Sequence, residues 1–183
     1  ALGAEALLGT TEALLLLPVF PISVALYTLP CVRLRGAWRC IKQVPHAKAP
    51  YVAALWALVP LLAALHTGLP ASFALCGFLF GKVWINVSIC DVKDMRDDRA
   101  RGVVSLPVAL GFPQVWGALH AANVFAALST LAMVAAGWLP TFMLFAEIQS
   151  ILVIVLLCWL AAAPEQRAQT GALLADVSVT LLA

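Results

Sequence analysis

The chain has 183 residues, of which 63% are apolar and only 11% charged, and its mean hydropathy is +1.00. Soluble domains carry roughly 25% charged residues, so this composition excludes a disordered chain and a polar binding module and argues against a water-soluble globule. The length allows about one domain, residues 1–183, with most of its surface facing lipid. The net charge of +2 gives no indication of a nucleic-acid partner.

Six apolar segments are candidates for membrane helices, which need about 20 residues each. In chain order they lie at about 6–30, 50–67, 70–90, 114–137, 140–162 and 171–183. The first segment is interrupted near its start by polar residues and the last reaches the end of the sequence, so both ends look truncated. The segments predict an all-α, polytopic transmembrane bundle of about six membrane helices.

The connections between these segments alternate in charge. Ten of the eleven Lys and Arg residues lie in 31–49, 91–113 and 164–170, whereas the turns 68–70 and 137–140 carry none. If each apolar segment crosses the membrane once, the three basic connections lie on one side. The positive-inside rule predicts that this side is cytoplasmic, or the matrix or stromal side of an organellar membrane.

Two of the charges inside the apolar segments lie at comparable predicted depth. Lys82 lies midway along the third segment and Glu147 in the fifth. A charge in hydrocarbon is costly and is normally paired or faces a polar cavity. Two interpretations are open: a Lys82–Glu147 pair that holds two helices together, or a role in binding a substrate within the bundle. Gly77 and Gly81 form a GxxxG pattern on the third segment, which favours close helix packing.

Four aspartates follow directly on the third segment: Asp91, Asp94, Asp97 and Asp98. On a continuing helix, Asp91, Asp94 and Asp98 share one face and Asp97 points elsewhere. Clustered carboxylates suit Mg²⁺, which is usually bound by one or two carboxylates together with substrate phosphates. The simpler interpretation is a solvated loop with local ion pairs, such as Asp94–Arg101 or Asp98–Arg101, which contribute little stability.

The run from 91 to 111, DVKDMRDDRARGVVSLPVALG, resembles the second aspartate-rich motif of the UbiA superfamily of intramembrane prenyltransferases. The match is specific over 86–111, with Asn86 near the end of the apolar segment. A looser match lies upstream, where Tyr27-Thr-Leu-Pro30 precedes several basic residues. The matching positions of the motif are Asp91, Asp94, Asp98, Arg99, Gly102, Ser105, Leu106, Pro107, Val108 and Gly111.

The resemblance implies a nine-helix bundle, of which this chain would be the C-terminal two-thirds. It implies transfer of a polyprenyl group from its diphosphate to a lipophilic aromatic or tetrapyrrole acceptor, with Mg²⁺ as cofactor. Asp91, Asp94 and Asp98 would bind the metal and act as the catalytic residues, and we expect Asp91 and Asp94 to face water. Basic residues of the 33–48 stretch and of the motif would bind the diphosphate, namely Arg33, Arg35, Lys42, Lys93 and Arg99.

The family's first aspartate-rich motif does not occur in this sequence, where only Glu5 and Glu12 precede Asp91 as acidic residues. Two explanations stay open. The N-terminal third of the bundle lies outside this chain, or the protein is a catalytically incompetent relative that serves as a structural or lipid- or cofactor-binding subunit of a larger membrane complex. A transporter or channel would be expected to show internal repeats, and no convincing repeat is found.

Overall fold

The chain is built mostly of helices. The computed structural model describes residues 18–34, 36–67 and 69–162, without the side chains of 61–70 and 160–162. A short antiparallel hairpin, β1 Val32–Leu34 and β2 Ala37–Arg39, and two 3₁₀ helices, Ile41–Gln43 and Thr141–Ala146, lie between α-helices. The α-helices are α1 Val19–Thr28, α2 Lys48–Thr67, α3 Leu69–Ala100, α4 Leu106–Leu110, α5 Phe112–Ala135 and α6 Glu147–Ala162.

Three helical stretches in the described part of the chain are long and apolar enough to cross a membrane: Ala71–Ala100, Phe112–Ala135 and Thr141–Trp159. They correspond to the predicted segments 70–90, 114–137 and 140–162. Helix α2 corresponds to the predicted segment 50–67. The predicted segment 171–183 and residues 6–17 of the first one lie outside the described residues. The protein is therefore mostly helical, with three candidate membrane-spanning helices.

The hairpin is a departure from the all-α prediction. Its strands pair with Arg33 opposite Trp38, and the Cys31 N–H donates to the Arg39 carbonyl at 3.0 Å. Gly36, between the strands, has a φ of +83°, a left-handed conformation that glycine adopts without strain. Such a glycine permits a tight turn of the chain, so that part of the basic segment 31–49 forms two paired strands.

Besides an apolar core, the bundle buries many polar side chains and exposes many large apolar ones, which is unusual for a soluble protein. Polar side chains are buried between the helices, among them Lys82, Asn123, Thr130, Gln149 and Ser150. Large apolar side chains point outwards, with Phe125 and Phe145 each 73% exposed. An apolar exterior of this kind is stable where it contacts lipid. Other outward-facing apolar residues on the same helices are Phe73, Leu128, Leu131, Ile148, Ile151 and Val155.

Helices α3, α5 and α6 pack around one shared core, in which Ile85, Leu119 and Leu157 are fully buried. Helices α5 and α6 run antiparallel, as two hydrogen bonds between them show. Trp116 Nε1, near the start of α5, donates to the Leu157 carbonyl at 3.0 Å. Asn123, further along α5, donates to the Ser150 carbonyl near the start of α6 at 2.8 Å. These polar contacts between helices fix their relative position.

Gly81 brings α3 close to α5. A Cβ added at Gly81 would lie 3.7 Å from the Ala126 Cβ, which is ordinary van der Waals contact, whereas one at Gly77 would meet no described atom within 4 Å. The structure therefore shows a helix contact at Gly81.

Candidate functional site

Helix α3 carries the aspartates past its apolar part without interruption. At 1.5 Å per residue its 32 residues span about 48 Å, which exceeds the roughly 30 Å of bilayer hydrocarbon. The apolar stretch is followed by the charged turns that begin at Asp91. The first residue of α2, Lys48, lies beside these turns, so α2 and α3 run antiparallel.

Three carboxylates converge on the Lys48 ammonium. Its Nζ lies 2.7 Å from Asp91 Oδ1, 3.0 Å from Asp98 Oδ2 and 3.8 Å from Asp94 Oδ2. We name Asp91, Asp94 and Asp98 the aspartate cluster. Its members share one helix face, as predicted, while Asp97 is exposed. The structure therefore confirms the arrangement that the spacing indicated.

The expectation that Asp91 faces water is wrong. Asp91 is 2% exposed and Asp98 is also buried, whereas Asp94 is half-buried. A buried carboxylate is costly unless it is paired and hydrogen-bonded, and Lys48 supplies both a charge and hydrogen-bond donors. The sequence spacing showed which aspartates are neighbours, but it contained no information about the lysine that allows their burial.

The protonation of Lys48 follows from these contacts. Burial alone would lower the pKa of Lys48, but the hydrogen bonds and negative charges of Asp91 and Asp98 outweigh it and raise the pKa above its usual value. Lys48 is therefore a cation throughout the neutral pH range.

A cavity of about 230 Å³ lies next to the aspartate cluster. Ser105 and Asp91 line it, and each has a buried oxygen, Ser105 Oγ and Asp91 Oδ2, without a hydrogen-bond partner in the described part of the chain. Buried polar atoms in native proteins almost always have a partner, so two such atoms on residues that line one cavity are consistent with a ligand or water at this place. The remaining walls include His46, Lys48, Pro50, Trp84 and Leu106.

The two basic segments 31–49 and 91–113 meet at this cavity. The backbone N–H of His46 donates to the Val104 carbonyl at 3.0 Å, and His46 has a φ of +62°. A positive φ is rare outside glycine and is retained where surrounding contacts enforce it, often at functional sites. The contact places residues from both segments around one space.

Tyr27, from the looser upstream match, also lies near the cluster. Its ring stacks on that of Tyr51, with centroids 5.9 Å apart, and the Tyr51 hydroxyl donates to the Ser23 carbonyl at 3.0 Å. The Tyr27 hydroxyl is within electrostatic range of Lys48 and Asp91. Helix α1 therefore packs beside the site through its tyrosine.

The basic residues predicted to bind diphosphate are distributed unevenly. Lys93 Nζ lies 3.7 Å from Asp94 Oδ1, and Arg99 is exposed on the last turn of α3. Arg33 is exposed on the hairpin, and Lys42 lies in the 3₁₀ helix that follows it. Arg35 lies outside the described residues. Of the four described residues in this set, only Lys93 forms an ion pair with the cluster. The central cation is Lys48, which nothing in the sequence distinguishes from its basic neighbours.

The aspartate cluster is not a ready-made metal centre. Within the described ranges, no three His, Cys, Asp or Glu side chains are grouped so as to hold a metal ion. The donor set nevertheless fits Mg²⁺ shared with a phosphate, because this ion usually takes only one or two carboxylates from the protein. Asp91 Oδ2 offers an oxygen that no described group occupies.

A second polar group lies deeper in the bundle. Lys82 Nζ is 2.8 Å from Glu147 Oε2 and also donates to Ser150 Oγ. The predicted pairing of Lys82 with Glu147 is confirmed, and it joins α3 to α6. The pair uses Glu147 Oε2, whereas Glu147 Oε1 is buried without a hydrogen-bond partner in the described part of the chain. The structural interpretation and a role in binding therefore both stay open.

A comparison with protein-family models, curated proteins and solved structures gives no match to this chain. Function is therefore inferred from the geometry of the site and from the residues that form it.

Proposed function

We propose that the protein is an intramembrane prenyltransferase of the UbiA type, which transfers a polyprenyl group from its diphosphate to a lipophilic aromatic or tetrapyrrole acceptor with the help of Mg²⁺. One observation carries the proposal: three carboxylates converge at the end of an apolar helix, beside a cavity lined by Asp91, whose Oδ2 has no partner in the described part of the chain. The resemblance of residues 91–111 to the second family motif supports it.

The acidic and basic residues of the site would have different roles in the reaction. Asp91, Asp94 and Asp98 would hold Mg²⁺, which supplies positive charge to a departing diphosphate. Lys48 and Lys93 add fixed positive charge at the same place. The bond between the prenyl carbon and the diphosphate oxygen breaks with its electron pair on oxygen, and a ring carbon of the acceptor supplies the pair for the new bond and then loses a proton.

The proposed setting is a polytopic bundle of about six membrane helices, with 31–49, 91–113 and 164–170 on the cytoplasmic, matrix or stromal side. The apolar exterior of α3, α5 and α6 supports a lipid environment. The hydrogen bond between His46 and Val104 is consistent with 31–49 and 91–113 lying on the same side.

The test is binding of geranylgeranyl diphosphate to the full-length protein in lipid nanodiscs, measured by calorimetry with and without Mg²⁺. We expect Mg²⁺-dependent binding that Asp91→Asn and Asp94→Asn each weaken by at least about tenfold, since each variant removes a metal-binding charge. Asparagine keeps the shape of the side chain, so the bundle should stay folded. Asp97→Asn, on an exposed neighbour, is the matched control and should bind as the unaltered protein does. Equal binding by all three variants would show that the metal assignment is wrong.

A second candidate function is a non-catalytic subunit of a larger membrane complex. It is favoured by the way Lys48 compensates the aspartate cluster without any metal. The intact mass of the native polypeptide helps to separate the two. A mass well above 19.4 kDa together with Mg²⁺-dependent binding favours the enzyme, and a mass near 19.4 kDa without such binding favours the subunit.

A further inference from the structure

We propose that Lys48 is a built-in counter-ion: it occupies the place of a divalent cation in the aspartate cluster, and it turns to a phosphate group in the adjoining cavity, beside Ser105 and His46, when such a cation binds. The phosphate half of this inference rests on the proposed function. The counter-ion half stands on the geometry of the cluster alone.

The position of the ammonium group makes it a competitor for a metal ion. Lys48 Nζ lies within 3.0 Å of oxygens from both Asp91 and Asp98, and 3.8 Å from Asp94. A hard divalent cation seeks the same oxygens, so the ammonium and the metal cannot both hold this position. Three carboxylates against the ammonium groups of Lys48 and Lys93 also leave an excess of negative charge, which attracts a further cation.

The cavity contains the groups that a metal-bound phosphate would need. The carboxylate oxygen Asp91 Oδ2 can only accept hydrogen bonds, so it requires a cation or a hydrogen-bond donor. Ser105, which is 1% exposed, has a hydroxyl that can donate to a phosphate oxygen and has no partner among the described residues. His46 and Lys48 line the same space and offer further donors. The cavity has a volume of about 230 Å³, and one water molecule occupies roughly 30 Å³ in liquid water. The cavity therefore has room for a phosphate group.

Lys48 can serve both positions without movement of the backbone. Its ammonium contacts the aspartate cluster while its side chain lines the cavity. The flexible four-carbon stem of lysine permits rotation from one to the other. The exchange keeps the buried charges compensated in both states, by Lys48 in one and by the metal ion in the other.

The first experiment measures binding of Mn²⁺ alone, detected by electron paramagnetic resonance, to the full-length protein in nanodiscs. We expect Lys48→Gln to bind Mn²⁺ at least about tenfold more tightly than the unaltered protein, since the competing ammonium is gone. Lys93→Gln is the matched control: it removes a lysine 3.7 Å from Asp94 that does not contact the other two aspartates, and it should change the affinity far less. Lys48→Arg keeps the charge and should restore weak binding. Unchanged or weaker Mn²⁺ binding by Lys48→Gln would overturn the counter-ion role.

A second measurement covers the case in which Lys48→Gln does not fold. The chain has four lysines, so ¹⁵N-lysine labelling of the unaltered protein gives four side-chain ammonium signals. Addition of Mg²⁺ should shift the Lys48 signal and leave that of Lys82 in place. A Lys48 signal that does not respond to saturating Mg²⁺ contradicts the exchange.

The phosphate half is tested with radiolabelled inorganic diphosphate at saturating Mn²⁺. Ser105→Ala should weaken diphosphate binding about tenfold while leaving binding of Mn²⁺ alone unchanged. Equal binding by Ser105→Ala would show that the cavity takes water and not phosphate. These assays contain no prenyl substrate. Failure to bind geranylgeranyl diphosphate would therefore contradict the proposed function without deciding the counter-ion role. Unchanged Mn²⁺ binding by Lys48→Gln would contradict the counter-ion role without deciding the proposed function.

Discussion

Lys48 lies 50 positions before Asp98 in the sequence, yet it makes the central contact of the site. In the sequence it is one of several basic residues in 31–49, and nothing local distinguishes it from Lys42. Lys93 is much closer to the aspartates in sequence, but it is two residues from Asp91 and therefore lies away from the face that the aspartate cluster shares. The choice of cation is made by the antiparallel contact of α2 with α3.

The ion pair between Lys82 and Glu147 gives a stability prediction at the same scale. Their side chains are only 4% and 19% exposed. Removal of one charge therefore leaves the other buried and unpaired in an apolar bundle. Lys82→Met or Glu147→Leu alone should each destabilise the protein by about 3–5 kcal/mol. The measurement is unfolding in mixed detergent micelles, followed by circular dichroism.

The double variant Lys82→Met/Glu147→Leu tests whether the pair is only structural. It should recover most of the lost stability, because no unpaired charge remains. If the double variant is as unstable as the sum of the single changes, the two residues act independently and the pair does not hold α3 to α6.

At the scale of the elements, the length of α3 decides where the site is. The predicted segment ended at residue 90, whereas the helix continues to Ala100. Gly102, with a φ of +69°, follows the end of the helix, and the Val103 N–H donates to the Asp98 carbonyl at 2.8 Å. A glycine in this conformation just after a helix is a common termination signal. That signal is present in the sequence, and the predicted membrane segment 70–90 covers only the apolar part of the helix.

The contact of α3 with α5 predicts different effects at two glycines of one helix. Gly81→Leu should destabilise the bundle by about 1–3 kcal/mol, because its side chain would have to displace Ala126. Gly77→Leu is the matched control, since no described atom lies within 4 Å of a Cβ added there, and it should have little effect. Thermal unfolding of the two variants in the same detergent compares them. Equal destabilisation would mean that the effect comes from the substitution itself and not from the α3–α5 contact.

For the whole molecule, the placement of polar residues inside and apolar residues outside is consistent with helices that lie in a membrane. The composition predicted an apolar exterior, because 20 charged residues cannot cover the surface of a domain of this size. Which polar residues would be buried did not follow from composition. Asn123, Thr130 and Gln149 are single polar residues in apolar helices, and only the packing shows that they face inwards.

The proposed topology predicts opposite sides for the basic connection 91–113 and the uncharged turn 137–140. In a variant without native cysteines, Arg96→Cys and Trp138→Cys should be labelled by a membrane-impermeant maleimide from opposite faces of sealed vesicles. Both positions are exposed, so accessibility is not limiting. Labelling of both cysteines from the same face would show that the stretch between them does not cross the membrane once.

The sequence alone predicts a mostly helical chain with an apolar exterior, the approximate bounds of the described helices, and the common face of Asp91, Asp94 and Asp98. These properties depend on composition and on the fixed period of the α-helix, which are both local. The tertiary structure decided that Lys48 pairs with the aspartates, that Ser105 and His46 share their cavity, and that residues 32–39 form a hairpin. Contacts between residues far apart in sequence depend on how helices pack, and that packing is not encoded in any single segment.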